Sequence, residues 1–102
     1  MASYLITSCA RGPGLAMAEY LATFSSSEVD RIFVTARGES TALKALIQSS
    51  AGKVQFIRMD TSKKSSIKAA VAEVDRILEG QGLDVLINNA GQSFTLSSTT
   101  TM

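Results

Sequence analysis

The chain has 102 residues, 45% of them apolar, and ten basic against nine acidic residues give a net charge of +1. This length is typical of one domain or of part of one, and the balanced charge lacks the basic surface that nucleic-acid binding needs. The single cysteine, Cys9, excludes an internal disulfide, and the lack of histidine excludes Ser-His-Asp catalysis and the usual transition-metal sites. No apolar run approaches the ~20 residues of a membrane span, and no signal-peptide pattern opens the chain. We therefore expect a cytoplasmic protein with no metal, nucleic-acid or membrane partner.

Short apolar runs and helical periodicities alternate along the chain. Runs rich in β-forming residues predict four strands, over residues 3–7, 31–36, 54–59 and 83–87. Apolar residues spaced three and four apart predict three helices. Two cover residues 15–24 and 41–50, and the third runs from its cap at residue 61 or 62 to residue 78, with its periodic apolar positions at 67–78. Ser40 is placed to cap the second helix, and Thr61 or Ser62 the third.

The order β-α-β-α-β-α-β predicts an α/β fold with a parallel sheet. Right-handed crossovers and the doubly wound strand order 3-2-1-4 would put the first two helices on one face and the third on the other. The fold class is thus a Rossmann-type parallel sheet of about four strands with three helices. A ligand is expected at the carboxyl ends of the strands, near the switch point between strands one and four.

Three motifs follow the predicted strands. Residues 7–14 read TSCARGPG after strand one, Asp60 follows strand three, and residues 88–91 read NNAG after strand four. Together they resemble the T-G-x-x-x-G-x-G turn, the acidic residue and the N-N-A-G motif of short-chain dehydrogenases/reductases. The resemblance covers residues 3–91, and residues 53–91 resemble the C-factor-like and norsolorinic-acid-ketoreductase-like branch.

The resemblance implies a nicotinamide dinucleotide cofactor and oxidoreduction of a carbonyl or hydroxyl substrate. Glycines let the backbone approach a pyrophosphate, and the following helix offers unpaired amides and a positive dipole end. The alternative is that small residues simply end a strand. On the dinucleotide-binding interpretation, Asp60 lies at the adenine, and the residues of the N-N-A-G motif line the adenosine pocket. The full set of expected cofactor-binding residues is Ser8, Arg11, Gly12, Pro13, Gly14, Arg37, Asp60, Asn88, Ala90 and Gly91.

The turn departs from the family pattern at two positions. Ser8 occupies the place of the first glycine, where a positive φ would disfavour any side chain. Pro13 stands between the last two glycines and has no N–H for the phosphates, although its fixed φ suits a first helical turn. We therefore expect cofactor binding weaker by about 1–3 kcal/mol than in a relative with the intact turn.

The end of strand two bears on the choice of cofactor. NAD sites place a carboxylate there for the ribose 2′-hydroxyl, but residues 34–37 read VTAR. Arg37 and Arg11 could grip a 2′-phosphate, which favours NADP(H) over NAD(H). The alternative is that both are ordinary surface residues.

The family's catalytic Tyr-x-x-x-Lys pair does not occur in the 102-residue sequence. Tyr20 is followed at the fourth position by Phe24 and not by lysine, and Tyr4 lies in strand one. Cys9 is expected to be a residue of the turn and not a nucleophile. We expect residues 1–91 to form a partial, truncated dinucleotide-binding domain and residues 92–102 a flexible Ser/Thr-rich tail. The chain alone should then be inactive, with no catalytic residue of its own, and could self-associate through an exposed strand-four edge. Two alternatives stay open: a catalytically inactive nucleotide-binding or interaction module, and a non-functional fragment.

Overall fold

The computed structural model of the chain describes residues 2–88 and the backbone of residues 95–98. Strands and helices alternate as expected as far as β4. They are β1 (Ala2–Ile6), α1 (Gly12–Ala22), β2 (Val29–Ala36), α2 (Thr41–Ser49), β3 (Val54–Arg58), α3 (Lys64–Leu78), β4 (Val85–Asn88) and β5 (Thr95–Ser98).

One sheet holds all the strands, in the order β3-β2-β1-β4-β5. The first four are parallel, which confirms the predicted order 3-2-1-4 and the Rossmann-type fold. Because parallel strands end at the same edge of a sheet, the segments that follow β1, β2 and β3 lie on the same side of the molecule as the end of β4.

Each face of the sheet has its own core. Leu5 and Ile6 are neighbours in β1 and point to opposite faces, as successive strand residues do. Ile6 packs with buried residues of α1 and α2, including Ala18 and Leu43. Leu5 packs with buried residues of α3, including Val74. The predicted distribution of helices, two on one face and one on the other, is therefore confirmed.

The helix starts differ from the predictions in an informative way. Helix α1 begins at Gly12, three residues before the predicted start. Gly12 and Pro13 have low helix propensity, but the fixed φ of Pro13 fits the first turn of a helix. Ser40 caps α2 as predicted, accepting a hydrogen bond from the Leu43 amide. The predicted cap of α3 is wrong: its N-cap residue is Lys63, whose side chain makes no capping bond.

The outer edge of β4 is paired, which corrects the prediction of an exposed strand-four edge. Strand β5 runs antiparallel to β4, with Val85 opposite Ser98 and Asn88 opposite Thr95. This strand lies inside the segment expected to be a flexible tail. Its Ser and Thr residues show no apolar periodicity, but the backbone bonds of a ladder require none. Self-association through the β4 edge thereby loses its structural basis within the described residues.

Within residues 2–88, every helix is too short or too polar to cross a lipid bilayer.

Candidate functional site

The turn between β1 and α1 is held on both sides by the sheet. The Thr7 amide donates to the carbonyl oxygen of Ile87 in β4 at 3.1 Å, and the Cys9 amide donates to that of Thr35 in β2 at 2.9 Å. Since β1 lies between β2 and β4, these two bonds fix the turn over the switch point of the sheet. The turn then enters α1 directly, which is the strand-to-helix junction that a dinucleotide site requires.

Two residues of this turn have left-handed backbone conformations. Gly12 has a φ of 66°, and a Cβ added to it would meet no atom within 4 Å. Ser8 has a φ of 57°, so the position of the family's first glycine does need a positive φ and carries a side chain here. The open space at Gly12 would let a ligand approach the backbone, whereas the conformation of Ser8 is strained.

The first turn of α1 faces the same edge of the sheet. Arg11 is the N-cap residue, and its side chain makes no capping bond, so the amides that open the helix are left for solvent or for a ligand. Pro13, in this first turn, contributes no N–H. Gly14 is buried, so it serves the packing of the helix on the sheet.

A cleft of about 350 Å³ opens beside the turn. Four of the predicted cofactor-binding residues line it together, although they come from three separate strand ends: Ser8, Arg11, Arg37 and Asp60. Gly12, Pro13 and Gly14 stand at the start of α1, immediately after the Arg11 side of the cleft.

Asp60 lies just after the carboxyl end of β3, and its carboxyl is held in the ionised form. Its Oδ1 accepts hydrogen bonds from the Ser62 hydroxyl at 2.6 Å and from the Ser62 amide at 3.0 Å. These two bonds lower the pKa of the Asp60 carboxyl below its ordinary value, and the nearby charges of Lys63 and Arg37 lower it further. The Asp60 amide donates to the Ser66 hydroxyl at 2.8 Å. The site thus offers a fixed carboxylate acceptor, which suits an amino group such as that of adenine.

Two arginines, Arg11 and Arg37, share the cleft with the Asp60 carboxylate. Arg37 immediately follows β2 and is exposed, and Arg11 shares the cleft with it. A second hollow of about 340 Å³ adjoins the cleft and is lined by Arg37, Arg58, Asp60, Lys63 and Ser66. The Arg58 guanidinium donates from Nη1 to the carbonyl oxygen of Arg37.

Asn88 occupies a different position from the cleft residues. It ends β4, and its Oδ1 accepts a hydrogen bond from the Thr7 hydroxyl at 3.2 Å, so it ties the start of the turn to the neighbouring strand. It does not line the cleft. The other two residues predicted from this motif, Ala90 and Gly91, lie outside the described residues.

Cys9 is a core residue of the turn. Its side chain is fully buried, and Sγ donates to the Ile6 carbonyl oxygen at 3.0 Å. Burial raises the pKa of the Cys9 thiol to about 12, which disfavours the thiolate form that nucleophilic cysteines require. Of the tyrosines, Tyr20 is 63% exposed and its ring packs edge-on against Phe24 with centroids 5.2 Å apart.

Five further residues line the cleft that the sequence patterns did not assign to the cofactor site, although Thr61 and Ser62 were expected as helix caps: Ala10, Ala36, Met59, Thr61 and Ser62. For Ser62 a signal existed, because an Asp followed two positions later by Ser is typical of an Asx turn. The other four line the cleft because they lie beside a predicted residue in the same turn or strand end. Their side chains carry no distinctive chemistry.

Comparison with known proteins agrees with this architecture. The family model of the short chain dehydrogenases matches residues 3–101. The chain is 33% identical over 90 residues to the short-chain dehydrogenase/reductase atnB of Arthrinium sp., an alignment that covers 88% of this chain and 32% of that protein.

Solved structures give the same picture. The NADPH-bound carbonyl reductase from chicken fatty liver is 31% identical, with a TM-score of 0.77 over 91% of this chain and 35% of that one. The carbonyl reductase Sniffer of D. melanogaster is 30% identical, with a TM-score of 0.78 over 91% of this chain and 38% of that one. The chain therefore spans about a third of the length of these relatives. With the family model, the strand order and the strand-to-helix turn in agreement, the chain belongs to the short-chain dehydrogenase family.

Proposed function

We propose that this chain is the nucleotide-binding part of an NADP(H)-dependent short-chain dehydrogenase/reductase that acts on a carbonyl or hydroxyl substrate. The observation that carries the proposal is the cleft at the β1–α1 turn, where Ser8, Arg11, Arg37 and Asp60 meet at the carboxyl edge of a parallel sheet. Ligands of doubly wound sheets bind at this edge. The carbonyl reductases that the chain is similar to include one bound to NADPH.

The residues of the site fit the adenosine half of a nicotinamide dinucleotide. The open space over Gly12 would admit a pyrophosphate against the backbone, and the uncapped start of α1 would meet its negative charge. The fixed carboxylate of Asp60 would accept a hydrogen bond from the adenine amino group. The bound cofactor would supply the hydride, while these residues of the chain bind and orient it.

The preference for NADP(H) over NAD(H) rests on charge. The segment after β2 presents Arg37 where NAD sites place a carboxylate, and Arg11 lies in the same cleft. Guanidinium groups form paired, charge-assisted hydrogen bonds with phosphates, so both would favour a ribose 2′-phosphate. Ser8 and Pro13 act against tight binding, because one is strained and the other lacks a phosphate donor.

Turnover is a separate matter, because none of the 102 residues forms a Tyr-x-x-x-Lys pair. A proton donor and acceptor for the substrate oxygen would have to come from residues other than these. We therefore propose that the chain as given binds cofactor without reducing a ketone. This is also what a catalytically inactive nucleotide-binding module would do.

Titration of the purified chain with NADPH and NADH tests the proposal. The chain has no tryptophan, so the emission of the reduced nicotinamide can be followed without interference from indole. We expect saturable binding of one molecule, roughly tenfold tighter for NADPH, the lower end of what charge-assisted bonds contribute. Equal affinities would refute the NADP preference, and a lack of binding to either would refute the nucleotide-binding function and leave a fragment without independent role. Oxidation of NADPH by a ketone in the presence of this chain alone would contradict the inactivity proposed for it.

A further inference from the structure

Arg58 brings a second guanidinium to the end of β2. It is the last residue of β3 and lies opposite Ala36 in the β2–β3 ladder. Its Nη1 donates to the carbonyl oxygen of Arg37, the residue that follows Ala36. Arg58 thus holds the backbone from which the Arg37 side chain projects, and it does so with only one of its five N–H donors.

The hollow beside this contact is strongly cationic. Arg37, Arg58 and Lys63 line it, against one carboxylate, Asp60. The Asp60 carboxylate offsets one of these three positive charges, and its Oδ1 already accepts two hydrogen bonds from Ser62, so the lining keeps a net positive charge. Guanidinium groups gathered in this way repel one another, and an anion between them relieves the repulsion.

The hollow adjoins the proposed cofactor cleft. Arg37 and Asp60 line both, so an adenosine 2′-phosphate bound in the cleft, with its adenine at Asp60 and its phosphate at Arg37, would border the hollow. All the hollow's lining side chains are polar or charged, which favours a small anion over an apolar group. A phosphate monoester has the oxygen atoms and the charge to bridge two planar guanidinium groups.

We propose that Arg58 is a specificity-determining residue for the 2′-phosphate of NADP(H), acting both by holding Arg37 through its carbonyl oxygen and by offering a second guanidinium to the phosphate. This inference rests on the proposed function, because it concerns the same cofactor. It adds to that function Arg58, the last residue of β3, which lies two positions before Asp60.

Substitution of Arg58 with matched controls tests the inference. The variants are Arg58→Met, which removes the charge and the bond to Arg37 while keeping an unbranched stem, and Arg58→Lys, which keeps the charge but not the planar fork. The control is Arg76→Met on α3, where an exposed arginine lies 4.0 Å from Glu73 and does not line either hollow. Each variant is titrated with NADPH, NADH, adenosine 2′,5′-bisphosphate and AMP.

The expected result is a change in selectivity and not in overall binding. Arg58→Met should weaken NADPH and the bisphosphate by about tenfold, in line with the loss of a charge-assisted contact, while NADH and AMP stay within about twofold. Arg58→Lys should fall between Arg58→Met and the wild type, and Arg76→Met should match the wild type. Retained AMP binding in Arg58→Met would show that the cleft is still folded.

Two results would overturn the inference, and they can be told apart. If the wild type prefers NADPH and Arg58→Met keeps the same preference, Arg58 does not determine specificity, although the proposed function stands. An equal loss of NADPH and NADH affinity in Arg58→Met would have the same meaning, since it would mark a general structural role. If the wild type binds none of the four ligands, the proposed function and this inference fail together.

Discussion

The Ser40 hydroxyl donates a hydrogen bond to the carbonyl oxygen of Ala10, with 2.6 Å between the two oxygens. The same hydroxyl accepts a bond from the Leu43 amide at 3.1 Å and so caps α2. One side chain therefore joins the start of α2 to the turn between β1 and α1, thirty residues earlier in the chain. Because Ala10 lines the cleft, the position of the turn depends on a residue outside it.

Substitutions at Ser40 can separate the cap from the bond to Ala10. Ser40→Ala removes both and should lower the free energy of unfolding by about 2 kcal/mol, the sum of a cap and a hydrogen bond. Glycine caps almost as well as serine, so Ser40→Gly should lower it by only about 1 kcal/mol. Both variants should weaken NADPH binding to a similar extent, because both release the turn. Urea denaturation and NADPH titration measure the two effects.

Ser40→Thr is the control for this pair, since its hydroxyl can make both bonds. It should resemble the wild type in stability and affinity. If Ser40→Gly binds NADPH as tightly as the wild type, the Ala10 bond does not position the turn.

Ser8 is a position where a substitution should improve the protein. Its φ of 57° is unfavourable for a side chain, and Ser8→Gly should raise the free energy of unfolding by about 1 kcal/mol. It should also strengthen NADPH binding, because the turn would reach its binding conformation at lower cost. The gain in stability can be read from urea denaturation and the gain in affinity from titration.

Ala51→Gly is a matched control for Ser8→Gly. Ala51 has nearly the same backbone conformation, with a φ of 55°, but it lies after α2 at the opposite edge of the sheet. It should gain comparable stability and leave NADPH affinity unchanged. If both variants strengthened NADPH binding equally, the effect would reflect global stability and not the turn.

Pro13 is expected to give opposite effects on stability and on affinity. Pro13→Ala supplies an N–H at the start of α1 and should tighten NADPH binding by roughly tenfold, if that N–H meets the pyrophosphate. The same change should lower the free energy of unfolding by about 0.5 kcal/mol, because proline restricts the unfolded chain. Adenosine 2′-monophosphate has no pyrophosphate, so its affinity should not change. If adenosine 2′-monophosphate gained affinity equally, the new N–H would not act through the pyrophosphate.

Local sequence patterns account for the first four strands, the three helices and the order of those strands, whereas contacts between distant residues were not predicted. The apolar runs around Ile6 and Val34 are buried on both faces of the sheet, so they read as continuous apolar segments, as parallel strands do. Patterns also located Arg37 and Asp60, because each follows a strand end.

The contacts between distant segments could not be predicted in this way. Ser40 with Ala10 and Arg58 with Arg37 are joined only by the sheet register and the crossovers. Strand β5 was not predicted because its pairing with β4 is made by the backbone, which carries no sequence signal of its own.

The pKa of Asp60 should depend on one hydroxyl. The Ser62 hydroxyl is the largest cause of its lowered pKa, so Ser62→Ala should raise the pKa toward the ordinary value of about 3.9, with the Ser62 amide keeping part of the effect. A carboxyl whose folded-state pKa is lowered stabilises the fold above its ordinary pKa and loses this contribution as the pH falls through the lowered value. Carbon-detected NMR titration of the Asp60 carboxyl measures the shift.

Ser65→Ala serves as the comparison for Ser62→Ala. Ser65 is an exposed residue in the first turn of α3, and its substitution should leave the Asp60 pKa as it is in the wild type. An unchanged pKa in Ser62→Ala would mean that the bond from the hydroxyl does not hold the carboxylate.

The Cys9 thiol should make the fold sensitive to high pH. Burial raises its pKa in the folded state from 9.0 to about 12, whereas the thiol of the unfolded chain ionises near the ordinary value. A raised folded-state pKa means that the stabilising contribution is complete below pH 9.0 and is lost as the pH rises toward about 12. The native protein should also react slowly with a thiol reagent at neutral pH and quickly once unfolded in urea.

Tyrosines and lysines titrate in the same range, so the thiol has to be isolated by difference. Cys9→Ala shares every other titrating group with the wild type and should be less stable at neutral pH by about 1 kcal/mol, because it leaves space in the core and loses the bond to the Ile6 carbonyl. As the pH rises above about 9, the wild type alone loses the thiol contribution, and the difference in unfolding free energy between the two proteins should shrink. A constant difference up to about pH 11 would show that the thiol has nearly the same pKa in the folded and unfolded states, and hence that it is not buried as the structure has it.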